Sequence, residues 1–135
     1  MSDYRTEHAR SIADPEGYWA EQAELVDWIK KPKQVLDAEH APFYRWFPDA
    51  TLNTCFNALD RHVVRGHGDR TALIYDSAVA DTQARFSYAE LLERVAAFAG
   101  ALRACGVGAG DRVVVYLPMI PEAVIAMLAL SLIHI

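Results

Sequence analysis

Cysteine is scarce in this chain. The two residues, Cys55 and Cys105, lie far apart and outside any CxxC pair. That excludes a disulfide framework or a zinc site built on paired thiolates, and both read as small buried hydrophobes in a reducing compartment. Positive charge is also short, with Lys+Arg 13 against Asp+Glu 18 for a net charge of -5. A surface that neutralises nucleic-acid phosphates is not expected from such a balance. The single basic cluster, Lys30, Lys31 and Lys33 around Pro32 and beside Trp28, has Asp27 and Asp37 close by and reads as a solvated loop. The start, MSDYRTEHAR, has no apolar stretch of the secretory type. The uncharged stretch Ala123 to Ile135 spans, as a helix, roughly 20 Å against a hydrocarbon core of ~30 Å. Neither a membrane anchor nor a nucleic-acid surface is expected, and the expected location is cytoplasmic.

Catalytic signatures are missing too. His8, His40, His62, His67 and His134 stand in no HExxH or HxH setting, and Ser77, Ser87 and Ser131 in no GxSxG. The triplet Asp60-Arg61-His62 reads as a solvated helix face. Spacing alone yields no active site.

What is present is a globular composition, with 53% apolar and 23% charged residues in 135, enough for one domain with a real core. Residues 1 to about 50 are rich in large aromatics, among them Tyr18, Trp19, Trp28, Phe43, Tyr44, Trp46 and Phe47, interspersed with Pro15, Pro32, Pro42 and Pro48. A helix over Asp3 to Ala13 precedes a second one, opened by Asp14 as cap and Pro15 as first residue and running to Leu25. Beyond Trp28 the prolines forbid long helices. Aliphatic periodicity is poor, so this part reads as an extended wrap that needs a surface to cover.

From Asn53 the pattern turns regular. TCFNALDRHVVR sets Cys55, Phe56, Leu59 and Val63 at helical spacing, and Gly66 to Gly68 ends the helix. TALIY and ARFSY predict two strands of a hairpin around DSAVADTQ. Ser87 and Glu90 form a capping box. The helix that follows sets Leu91, Val95, Phe98 and Leu102 on one face and is closed by Gly106. RVVVYLP, Arg112 to Pro118, predicts a strand apolar on both faces, as in a covered parallel sheet, and Pro121 opens another helix. The alternation predicts an α/β chain: an N-terminal extended and helical wrap, then the first strand-helix units of a doubly wound domain. Gly106, Gly108 and Gly110 follow a helix and precede a strand, the reverse of a phosphate loop, so they read as a helix stop and a tight turn.

Three stretches carry a family resemblance: YWAEQAELVDWIKKPKQVLD, APFYRWFPDATLNTCFNALDRHV, and FSYAELLERVAAFAGALRACGVGAGDRVVVYLPMIPEAVIAML. Together they resemble the start of short-chain acyl-CoA synthetases, in the AMP-forming, adenylate-forming superfamily, from about Tyr4 to Ala129. The tryptophan-phenylalanine, LN and LDRH elements and GDRVVVYLPMIPEA are similar to the acetyl and propionyl branch, and ALIYDS, Ala72 to Ser77, looks more like propionyl-CoA synthetases. The resemblance implies a ligase that joins a short-chain carboxylate to CoA with ATP, through an acyl-adenylate. It implies ATP, CoA and Mg²⁺ for the full-length enzyme and small-molecule substrates as its partners. The family's phosphate loop, adenine and ribose contacts, hinge, C-terminal lysine and CoA-contacting segments have no counterpart in these residues. No catalytic, cofactor-binding or metal residue is therefore carried over, and this stretch alone is expected to bind none of these groups and to be inactive.

The division expected from this resemblance is an acetyl-CoA-synthetase-type N-terminal region over 1–60 and the start of the ligase domain over 61–129. Residues 130–135 are expected to be a non-native tail. The apolar pattern that begins at Pro121 stops at Ile135 with no cap, and Leu-Ser-Leu-Ile-His-Ile is one reading frame of the transposon-end adapter CTGTCTCTTATACACATCT. Two other classes fit the residues alone. One is a non-catalytic module that binds a partner synthetase through the aromatic wrap, and the other is a protein tethered to a membrane by its apolar end.

Overall fold

The computed structural model describes residues 3–134, in two units that meet between Leu52 and Asn53, where the sequence texture changes. The first unit starts with α1, Tyr4–Ala13, and α2, Pro15–Ala23. Asp14 ends one helix and caps the next, its Oδ1 accepting the Gly17 N–H at 3.0 Å. A Cβ at position 17 would run into the Asp14 carboxylate, so a larger residue there would have to displace the capping side chain. Two short strands, β1 at Leu36–Asp37 and β2 at Arg45–Trp46, then pair antiparallel. Lys30 bridges to Thr51, and Lys31 reaches Glu24 at 2.9 Å, so the basic cluster is the solvated loop expected.

Only Ala23 is buried among the described residues of this unit. Rings and turns hold it together instead. Trp28 packs on Phe47 with centroids 5.4 Å apart and donates its indole N–H to the Ala23 carbonyl at 2.8 Å. Trp19 meets Trp46 edge-on at 6.0 Å.

In the second unit the first helix departs from regular geometry. Phe56–Asp60 is a π-helical turn that runs into α3, Arg61–Val64. The wider turn shifts the register, so Cys55 and Leu59 are buried while Phe56 is exposed and Val63 only half-buried. Strands β3, Thr71–Ser77, and β4, Thr82–Ser87, form the expected hairpin, antiparallel with Ile74 opposite Arg85. Its turn is tighter than expected, with Asp81 at φ 46. The capping box opens α4, Tyr88–Ala104: Ser87 Oγ accepts the Glu90 N–H at 3.2 Å, and the Glu90 carboxylate accepts the Ser87 N–H at 2.8 Å. At its end Gly106, φ 90, sends its N–H to the Arg103 carbonyl while Val107 reaches Leu102, the double closure of a Schellman motif. The last helix, α5, spans Pro121–Ile133.

The core joins Cys55 and Leu59, Phe86 of β4, Leu91, Val95 and Ala99 of α4, and Ile125, Ala129 and Ile133 of α5. Ala99 and Ala129 let the two long helices approach closely. This face is turned from the expected one: Phe98 is exposed and Ala99 takes its place inside. Cys105 is likewise exposed, because it caps the end of α4 on the solvent side of the last turn.

The largest departure is Arg112 to Pro118. It forms no strand, and all seven residues are exposed. Among the described residues no backbone hydrogen bond joins residues 112–117 to another segment. A strand is defined by its partner, and the sequence pattern records only the burial that a partner would supply. The resulting architecture is α/β with two small antiparallel sheets. No described helix is long and apolar enough to cross a membrane.

Candidate functional site

The glycine run was the one sequence feature with the composition of an anion loop. Its amides are already committed. Gly106 and Val107 close α4, the Gly108 N–H donates to the Asp111 carboxylate at 2.8 Å, and the Asp111 N–H returns to the Gly108 carbonyl. The Gly110 N–H donates to His134 Nδ1 at 3.0 Å, and Gly110, φ 92, takes the left-handed third position of a tight turn. A carboxylate sits where a phosphate would have to sit. The residues present therefore do not fit ATP or the CoA phosphates at this loop.

A polar cluster gathers instead where the π-helical turn begins. Asn53, 5% exposed, accepts the Phe56 N–H through Oδ1 at 2.7 Å and donates through Nδ2 to the Ser131 carbonyl at 2.9 Å. The Cys55 N–H donates to Ser131 Oγ at 3.1 Å, and the Cys55 thiol lies 3.9 Å from an Asp60 carboxylate oxygen. Arg61 donates to Asn57 Oδ1 at 3.1 Å. Burial first, then the charge of Asp60 and the hydrogen bond to it, pushes the Cys55 thiol up to about 11. A thiol held protonated at neutral pH is no nucleophile. The cluster staples α5 to the start of the π-helical turn.

Asp60, Arg61 and His62 are half-buried, not solvated as expected, because the π-helical turn rolls them toward α4. His62 lies on the Tyr88 ring, centroids 4.6 Å apart, and His8 on Tyr4 at 5.9 Å. Among the described residues no three His, Cys, Asp or Glu side chains converge on one metal position. Sequence reasoning missed the pairing of Asn53 with Ser131. The asparagine at a helix start was a legible cap; a serine inside an apolar run carried no signal of a long-range partner.

The cavities are apolar or shallow. A groove of about 310 Å³ lies between Phe98 and Leu102 of α4, Ala126 and Leu130 of α5, and residues 113–117. A second, of about 540 Å³, lies between the hairpin tip, residues 75–80, and residues 118–120. Trp19, Trp46 and Phe47 line a third, of about 330 Å³, in the first unit. None of them brings a general base to a nucleophile.

Comparison with known proteins gives matches over nearly the whole chain. The model of the acetyl-coenzyme A synthetase N-terminus matches residues 4–58, and that of AMP-binding enzymes matches residues 60–134. The mitochondrial acyl-CoA synthetase short-chain family member 3 of Homo sapiens is 48% identical over 128 residues, 95% of this chain and 19% of that protein. The acetyl-coenzyme A synthetase of Streptomyces avermitilis is 50% identical over 122 residues, 90% of this chain and 19% of its own length. Among solved structures, the acetoacetyl-CoA synthetase from Streptomyces lividans superposes with a TM-score of 0.82 at 36% identity, over 99% of this chain and 21% of that one. The chain thus spans about a fifth of the length of the relatives it matches.

Proposed function

The chain belongs to the AMP-binding enzyme family, matching the N-terminal region of its short-chain acyl-CoA synthetases, and we propose that it is the leading part of an AMP-forming propionate–CoA ligase. The reaction of that whole enzyme is propionate, ATP and CoA to propionyl-CoA, AMP and pyrophosphate, with Mg²⁺ as companion of the nucleotide. The observation that carries the reading is the succession of two family matches, over residues 4–58 and 60–134. The likeness of Ala72 to Ser77 to propionyl-CoA synthetases favours propionate. The 50% identity to an acetyl-coenzyme A synthetase supports acetate as the second reading.

In this proposal residues 1–60 are the N-terminal region and residues 61–129 open the ligase domain. The chain contributes no reacting group. Its part is to shape the framework on which the ligand-binding segments of the whole enzyme rest, in the cytoplasm. The test is to sequence the locus beyond codon 129, express the reading frame found there, and measure pyrophosphate release. A higher kcat/KM with propionate than with acetate is expected. A genomic stop directly after codon 135, or a full-length product inert toward both acids, contradicts the proposal.

A further inference from the structure

In the first unit one cavity has walls of aromatic rings alone. Trp19 of α2 and Trp46 of β2 meet at 6.0 Å with their planes 63° apart, and Phe47 meets Trp46 at 6.3 Å and 50°. These three side chains line a space of about 330 Å³, and the two indoles remain 42% and 43% exposed. The backbone is bent to hold this arrangement. Phe47 sits at φ 51, in the left-handed region that a bulky residue rarely takes. Its N–H donates to the Val35 carbonyl at 2.8 Å, and its carbonyl accepts the Ala50 N–H at 3.1 Å. A strained residue that its surroundings hold in place points to a function. Walls and supports all lie within residues 19–50, inside one unit.

Charge selects the ligand. Residues 1–52 hold ten Asp and Glu against six Lys and Arg, and the nearby cations are directed elsewhere. Arg45 precedes Trp46 in β2, so it stands on the opposite face of the ladder, across from Asp37, while Trp46 is across from Leu36. Arg10 is held by Glu7 and Glu21 at 3.2 and 2.6 Å and lies over the Tyr18 ring, and Lys31 is held by Glu24 at 2.9 Å. An indole face is electron-rich and attracts a cation within about 6 Å of the ring centre. From this we infer that Trp19, Trp46 and Phe47 form a binding site for a small, free quaternary ammonium compound. Such a cation has no N–H to satisfy, so walls without a hydrogen-bond acceptor suit it better than they suit a primary amine. A carboxylate or phosphate ligand is repelled by the same acidic surroundings, and a neutral apolar ligand gains nothing from them. The site stands apart from the reaction proposed above.

The experiment titrates the 135-residue chain with choline and, in parallel, with its neutral tert-butyl isostere. Tryptophan fluorescence and the NMR shifts of the ligand methyl protons report binding. Choline is expected to bind about fivefold more tightly than the isostere, its methyl signals moved by the ring currents. Trp19→Leu and Trp46→Leu are each expected to lower choline affinity about tenfold with an unchanged circular dichroism spectrum. Trp19→Phe keeps a ring with a weaker quadrupole and is expected to fall between, which decides the matter should a leucine variant lose its fold. Phe43→Ala, at a ring 80% exposed outside the cavity, is expected to leave binding unchanged. Equal affinity for choline and isostere overturns the inference, as does the absence of saturable binding or parental affinity in both folded leucine variants. So does a polyproline peptide that quenches the same tryptophans and is not displaced by choline, or binding confined to phosphatidylcholine vesicles. The product of the reading frame continued past codon 129 is expected to show the same preference, and loss of choline binding in it also overturns the inference.

Discussion

The Cys55 amide donates to Ser131 Oγ at 3.1 Å across 76 positions of sequence, and the neighbouring Asn53 amide group reaches the Ser131 carbonyl. Two bonds to one residue fix the last turn of α5 to the start of the π-helical turn. Removing one partner leaves a half-buried polar group without its bond, at about 1–3 kcal/mol. Asn53→Ala also strips the acceptor for Phe56 N–H and should cost more than Ser131→Ala. Urea unfolding monitored by circular dichroism checks both the size and the order.

Leu91 is buried in α4, whereas Phe98 is exposed on the groove. Leu91→Ala should therefore cost about 2–5 kcal/mol, within the range for core truncations. Phe98→Ala should stay under about 1 kcal/mol in this chain, as a surface change does. Denaturant midpoints that move equally would show that the helix face is the one read from sequence and not the one described above.

Cys55 carries a pH prediction of definite sign. Its thiol titrates at 9.0 when unperturbed and at about 11 in the fold. The folded state holds the proton more tightly, so this contribution is complete below pH 9 and is lost as pH rises toward 11. Stability of the parent chain should fall across that window more steeply than that of Cys55→Ala. At pH 8 an aromatic disulfide reagent should find the exposed Cys105 at once and Cys55 only on unfolding.

In the first unit Trp28 is half-buried and hydrogen-bonded, while Trp46 is exposed. Trp28→Phe keeps a ring on Phe47 but loses the bond to Ala23, for about 1 kcal/mol. Trp28→Ala should cost more than Trp46→Ala, read by urea midpoints of the full chain. A larger loss at Trp46 would show that its ring is covered in solution.

Local chemistry was legible wherever one side chain and the next few amides settle the matter. The Asp14 cap, the Ser87–Glu90 box, the Gly106 closure and the hairpin all follow from residues within one turn of each other. The failures share a cause in long-range or geometric context. Helical spacing around Phe56 assumed 3.6 residues per turn, and the wide turn at Phe56–Asp60 rotated that face. Phe98 lost the core to a smaller Ala99 because α4 and α5 pack closely. Arg112 to Pro118 has every residue preference of a strand and no partner among the described residues. The staple through Ser131 depends on a contact 76 positions away that no pattern of spacing encodes.

In the proposed reading this chain frames a ligase and performs none of its chemistry. The direct test is pyrophosphate release with ATP, CoA, Mg²⁺ and either propionate or acetate, run side by side on the 135-residue chain and on the product of the reading frame continued past codon 129. Silence is expected from the first and acid-dependent release, faster with propionate, from the second. Acid-dependent pyrophosphate release from the 135-residue chain alone would contradict it.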